Sequence, residues 1–262
     1  MLMVIEKYIP GSEKNDAYRA LYEMMRDRDP GKSYADMIRL RLSGSVASQC
    51  NDTYYLAREG VQALTRLWAG WGKHPDAIGN WGNFYTEEAH RGKGVGGALL
   101  KAWVADFKDR TDLPRCLLCS TATKELTDLY GKFGFRTAIE GTEHGALYLP
   151  LGKSPASFRD FYREYYTPCD VLYHKKATVE YRHEIDCLLK FAFRDLGMEF
   201  GIGQIKSVES ALLYHADRCG MLFSRDGHCV GWSMDGVRQV YPLYQHSLVI
   251  EEHEIPTGAI QK

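Results

Sequence analysis

A chain of 262 residues, 45% hydrophobic and 26% charged, is long enough for one large domain or two small ones and has the make-up of a soluble globular protein. Its formal net charge of −1 gives no electrostatic basis for binding nucleic acid or a membrane surface, and no run approaches the ~20 apolar residues of a membrane span. Seven cysteines without framework spacing, and a start too short and too soon charged for a secretory signal, predict a cytoplasmic protein.

The elements follow in chain order. Residues 3–9 read as a strand closed by Pro10-Gly11. Asn15 or Asp16 caps a helix over Ala17–Asp27, with Tyr18, Leu21, Tyr22 and Met25 on one face. A second helix is predicted over Tyr34–Leu42, then a polar link to Asp52. Tyr54–Arg58 and Gln62–Leu67 flank Glu59-Gly60 as a hairpin, and Lys73–Asp76 is a turn. Asn83–Glu87 is the next strand, followed by the glycine-rich stretch Arg91-Gly-Lys-Gly-Val-Gly-Gly97. Val95, Leu99, Trp103 and Phe107 then recur every four residues, a helix with one face on a sheet. Arg115–Cys119 is a buried-type strand, Leu126–Phe133 a helix ended by Gly134, and 135–139 and 146–151 two final strands. Residues 149–155 mark the best boundary, dividing the chain into 1–152 and 153–262.

Beyond that boundary the early pattern returns at one offset. Residues 170–176 match 3–9 and the hairpin Phe223–Gly227 matches Leu56–Gly60 at 167 residues, and the helix Ala17–Asp27 has a counterpart in Glu184–Asp195 that starts at the same offset. One constant offset over three elements predicts an internal duplication. The second copy is incomplete, because no glycine loop recurs in it.

The glycine stretch carries the chemistry. Backbone N–H groups without Cβ cover at a helix start form a cradle for a pyrophosphate. Gly92-Lys-Gly94-Val-Gly-Gly97 fits G-x-G-x-x-G, but the preceding strand stops several residues early for a dinucleotide fold. No Gly-Lys-Ser/Thr follows, which excludes a Walker A loop. The nine histidines show no His-Glu-x-x-His or facing pair, so no metal is expected. Cys116 and Cys119 lie on an apolar strand and read as core, and Glu251–Glu254 reads as a solvated tail.

Two motifs together make residues 1–150 resemble the GNAT N-acetyltransferase superfamily. Arg91-Gly-Lys-Gly-Val-Gly96 is similar to its R/Q-x-x-G-x-G/A loop, and Leu129-Tyr-Gly-Lys-Phe-Gly-Phe135 to its Leu-Tyr-x-Lys-x-Gly-Phe signature. The resemblance implies a mixed α/β (α+β) sheet, possibly in tandem with an incomplete second copy. It implies acetyl-CoA as co-substrate and direct transfer of the acetyl group to a primary amine of a small molecule or peptide. By position, Arg91, Gly92, Lys93, Gly94, Val95, Gly96 and Gly97 would hold the coenzyme A pyrophosphate. Phe84, Tyr85 and Thr86 would bind its arm and the thioester oxygen through backbone groups. Tyr130 would be the general acid for the departing thiolate. Thr123 stands where many members carry Asn, and Leu126 where a small residue is usual, so the arm contact there departs from the pattern. Among Glu59, Glu87 and Glu88, Glu87 is named as general base, and Trp81 and His74 as shaping the substrate site. The second half would complete the cleft or form a homodimer contact. The alternative is a non-catalytic acyl-CoA-binding or regulatory protein on the same fold.

Overall fold

The computed structural model describes residues 3–26, 40–189 and 210–251. Strand β1 (Val4–Tyr8) leads into helix α1 (Asp16–Arg26). Asn15 begins that helix, its Oδ1 accepting from the Tyr18 N–H at 3.1 Å. Most of the helix predicted over Tyr34–Leu42 lies outside the described residues; 40–42 are helical. The hairpin strands β2 (Cys50–Glu59) and β3 (Gln62–Gly72) are longer than their alternating cores suggested. The predicted polar link thus ends at Cys50. Strand β4 (Ile78–Thr86) also begins five residues earlier than predicted, because its glycines hide it. A Cβ on Gly79 would stand 2.6 Å from Leu117 Cδ2 and 3.2 Å from Cys116 O, so a side chain there would make its neighbours give.

Helix α2 (Val95–Lys108) buries Val95, Leu99, Leu100, Trp103 and Phe107, the face predicted from their spacing. Strand β5 (Cys116–Thr121), helix α3 (Lys124–Gly131), a two-residue β6 (Arg136–Thr137) and β7 (Gly145–Pro150) follow. Gly134 takes φ 96° just beyond α3, the left-handed stop its position predicted. The seven strands run in the order β1-β2-β3-β4-β5-β7-β6, with α1 on one face and α2 on the other.

After helix α4 (Phe158–Tyr165) the second sheet forms: β8 (Val171–Lys176), helix α5 (Arg182–Cys187), β9 (Cys219–Phe223), β10 (Cys229–Met234), β11 (Val237–Val240) and β12 (Leu248–Glu251). Its order is β11-β10-β9-β8-β12. Registers reproduce the sequence offset. The β1–β2 pairs Glu6↔Leu56, Lys7↔Tyr55 and Tyr8↔Tyr54, each number raised by 167, are the β8–β9 pairs Tyr173↔Phe223, His174↔Leu222 and Lys175↔Met221. Both following hairpins carry an extra residue on their second strand just past the turn, Leu64 and Val230. Register is fixed by which face must be buried, so its repetition is stronger evidence of duplication than repeated strand residues are. The end of the second unit diverges. Glu251, expected in a solvated tail, lies in β12 and pairs with His174, because β12 adds to the sheet parallel to β8.

The two sheets share one core. Ile78, Cys116, Leu118 and Tyr148 of the first pack with Leu172, Met221 and Leu222 of the second and with Ile185 of α5. Cys116 belongs to this core and Cys119 to the one under α2, so the C-x-x-C pair points to opposite faces of β5. Burial pushes the Cys116 thiol well up, as suits packing rather than reaction.

A polar seam joins the sheets. Arg182 Nη2 meets Asp52 Oδ1 at 2.7 Å with both side chains 2% exposed, and Trp68 Nε1 donates to the same oxygen at 2.8 Å. Arg182→Ala would strand the Asp52 carboxylate in the interior. The expected loss is about 3–5 kcal/mol of unfolding free energy, read from urea melts of the full chain. A loss within about 0.5 kcal/mol would mean the pair is not structural.

Candidate active site

The site starts where β4 leaves β5. The two pair in parallel only over Ile78↔Cys116, Gly79↔Leu117 and Asn80↔Leu118. Beyond Asn80 the strands diverge, and the β5-facing edge of 81–86 has no ladder partner among the described residues. A bulge on the other edge assists. Between Arg66↔Tyr85 and Trp68↔Gly82, β3 has one residue and β4 has two, Asn83 and Phe84. Asn83 takes φ 52°, a left-handed conformation that asparagine tolerates better than most residues. The extra residue re-aims the chain, as bulges beside functional sites do. Sequence reasoning missed Asn83; the Gly82-Asn83 dipeptide inside a strand was the available signal.

Downstream of Thr86 a short turn (Glu88–His90) leads to the glycine stretch. Gly92 and Gly94 take φ 74° and 80°, and a Cβ on either, or on Gly97, would meet nothing within 4 Å. The loop therefore borders open space, as a ligand cradle must. Gly94 begins α2 without a side-chain cap. The first helical bond is Ala98 N–H to Gly94 O at 3.0 Å, so the amides of Val95, Gly96 and Gly97 have no acceptor within the helix. Gly96 serves closeness instead. A Cβ there would stand 3.0 Å from Phe84 Cζ and 3.1 Å from Thr86 Oγ1, so α2 is pressed onto the end of β4.

Arg91 folds back over that end. Its Nε donates to Thr86 O at 3.2 Å and its guanidinium sits 5.5 Å from the Tyr85 ring centroid. Arg66 covers the same ring from β3, also at 5.5 Å. Lys93 is exposed at the loop tip.

Under the fork lies an aromatic floor. Trp81, the first residue past the last β4–β5 pair, is 2% exposed. Its ring meets those of Tyr130 (4.7 Å, edge-on), Phe135 (5.3 Å), Trp103 (5.5 Å) and Phe84 (6.0 Å). Trp81 Nε1 is buried without a hydrogen-bond partner among the described residues. Tyr130, on α3, also contacts Phe84 at 6.1 Å, and its hydroxyl has no recorded partner among the described residues. Burial pushes the Tyr130 phenol well above its ordinary value, with Cys119 adding to the effect. Thr123 caps α3, its Oγ1 accepting from Leu126 N–H at 3.4 Å.

Two other predicted residues lie outside the cradle and the aromatic floor. Glu87 lines a groove of about 550 Å³ on the α1 side of the sheet, with Glu23, Met24, Gln62, Glu88 and His90. The structure does not bring His74 to the cradle, because it precedes β4 while the cradle follows it. His74 stacks on Tyr181 (4.1 Å), and its Nε2 lies 3.1 Å from Glu184 Oε1 in the inter-sheet seam. Burial opposes its charge, but the Glu184 carboxylate outweighs that and raises its pKa.

Residues 50–137 fit the family model described as an acetyltransferase (GNAT) domain. No curated protein sequence matches the chain. Among solved structures, the chain is similar to an acyl-CoA N-acyltransferase from Pseudomonas aeruginosa (18% identity, 56% of this chain and 99% of that chain, TM-score 0.40). It is also similar to a GNAT family acetyltransferase from Brucella melitensis in complex with acetyl-CoA (18%, 58% and 89%, TM-score 0.40). A third is a predicted acetyltransferase with acetyl-CoA from Clostridium acetobutylicum (21%, 54% and 94%, TM-score 0.38). The matched stretch runs from the start of β2 to the end of β6, so the fork, the cradle and Tyr130 all fall inside it.

Proposed function

We propose that the chain is an N-acetyltransferase that uses acetyl-CoA to acetylate a primary amine of a small molecule or peptide. The observation that carries the reading is the fork beyond Asn80 opening directly onto the Gly92–Gly97 cradle. The residues fit coenzyme A on two counts. Open space faces Gly92, Gly94 and Gly97, and the amides that start α2 suit a pyrophosphate. The edge of β4 that turns from β5 beyond Asn80, with the buried Trp81 Nε1 below, would offer donors to the arm and the thioester oxygen.

In this reading the Phe84–Thr86 backbone polarises the thioester carbonyl as its oxygen gathers charge. The amine enters by the groove beside Glu23, Glu87 and Glu88, whose carboxylates attract a protonated amine, and Glu87 takes up its proton. Tyr130 stays protonated throughout the working range and donates to the sulfur as the carbon–sulfur bond breaks. Full proton transfer from so raised a phenol to a thiol of pKa ~8.5 is uphill in the free protein, so its main contribution is to stabilise the developing thiolate. The second sheet acts as a fixed cover on the face of β4, β5 and β7, since the two sheets share a core.

Incubating the full chain with acetyl-CoA and a panel of amines tests the reading. Amine-dependent release of free thiol is expected. Tight acetyl-CoA binding with no release on any amine would instead favour a non-catalytic acyl-CoA-binding protein.

A further inference from the structure

The second sheet holds three side chains in an arrangement the acetyltransferase reading does not use. His174 Nε2 lies 2.9 Å from Ser233 Oγ, and His174 Nδ1 lies 2.7 Å from Glu251 Oε2. We propose that Ser233, His174 and Glu251 form a second catalytic centre, a serine nucleophile acting on a carboxylic ester or thioester. This centre is independent of the assignment made for the GNAT domain.

Hydrogen-bond roles follow from the partners. An ionised carboxylate only accepts, so His174 Nδ1 carries the proton that faces Glu251. In the neutral imidazole Nε2 is then the acceptor, and the Ser233 hydroxyl donates to it. That is the tautomer and orientation in which an imidazole serves as base to a serine while an acid holds it in place. Arg238 pairs with the other oxygen of Glu251 and fixes the carboxylate from its far side. Ser233 is 4% exposed, while the His174 and Glu251 side chains are 21% and 33% exposed at the rim.

The fold assembles the group from three strands. Glu251 on β12 pairs directly with His174 on β8, which sets their side chains on one face. His174 pairs with Leu222, two residues from Gly220, so Gly220 shares that face. Gly220 in turn pairs with Ser233 on β10. The imidazole thus reaches Ser233 across β9 at the one position where β9 has no side chain. A Cβ on Gly220 would collide with His174 Nε2 and stand 2.6 Å from Ser233 Oγ. In the first unit the places of His174 and Gly220, 167 residues earlier, are held by Lys7 and Thr53. The histidine and the gap it crosses occur only in the second unit.

The reaction balances with an ester or thioester and water. Ser233 Oγ attacks the carbonyl carbon as its proton passes to His174 Nε2. The carbon–oxygen or carbon–sulfur bond breaks, and the alcohol or thiol leaves with that proton. Water then attacks the acyl-serine, gives its proton through His174 and releases the carboxylic acid.

A fluorophosphonate probe tests the nucleophile on the full-length protein, with the modified peptide mapped by mass spectrometry. Its serine–phosphorus bond forms as fluoride leaves. A single adduct on Ser233 is expected in the wild type and in Tyr130→Phe. Adduct formation should vanish in Ser233→Ala and slow at least about 100-fold in His174→Gln. Gly220→Ala, which displaces the imidazole, should slow it similarly while acetyl-CoA binding persists. In the Tyr130→Phe background, p-nitrophenyl acetate and acetyl-CoA without amine separate the substrate classes: release of nitrophenolate assigns esters, release of free thiol assigns thioesters, and either supports the proposal. A folded wild type unlabelled at Ser233, or labelled as fast in His174→Gln, would overturn it.

Discussion

Gly94→Glu is expected to lower the affinity for acetyl-CoA by about 100-fold or more, ~2.7 kcal/mol. Two effects combine. Gly94 sits at φ 80°, where a side-chain-bearing residue is strained by about 1–3 kcal/mol. The added carboxylate also projects into the open space of the cradle, where a pyrophosphate would lie. Gly94→Ala separates the terms, since it keeps the strain and removes the charge, and its loss should be the smaller. Because nothing lies within 4 Å of the new Cβ, neither variant should disturb the core. Calorimetric titration of both proteins checks this, and equal affinity in wild type and Gly94→Glu would remove the cradle assignment.

Tyr130→Phe should reduce turnover by about 10²–10⁴-fold while leaving acetyl-CoA affinity within about twofold. The phenylalanine ring keeps the edge-on contact with Trp81 and the packing on Phe84 and Phe135. The hydroxyl has no partner recorded among the described residues, so its removal leaves no buried group newly unpaired. A purely structural role therefore predicts little change in either quantity. Single-turnover acetylation of a saturating amine separates the cases, and an unchanged rate would take the sulfur-facing role from Tyr130.

Much of the GNAT domain was legible because its signals are local. Val95, Leu99, Trp103 and Phe107 declare a buried helical face by spacing alone, and the glycine loop declares left-handed backbone by composition. What stayed hidden depends on pairing. Asn83 lies within a stretch that reads as plain strand, and only the β3–β4 register reveals a bulge there. His74 lies near β4 in sequence, yet the chain reverses at Lys73–Asp76 and leaves the histidine at the opposite end of that strand. Glu251 looked solvated because nothing in its neighbourhood announces a parallel strand beside β8. Ser233 and His174 are 59 residues apart and meet only across a glycine on a third strand. The repeated pattern was visible as a sequence offset, and the β8–β9 register repeats that of β1–β2 at the same offset.

The central claim is one coenzyme A site per chain, at Arg91–Gly97 and the fork beside it. Calorimetric titration of acetyl-CoA into the wild-type full chain tests it most directly. The account predicts saturable binding at one equivalent per chain, competed by free coenzyme A. Absence of binding, or two equivalents per chain, would contradict it.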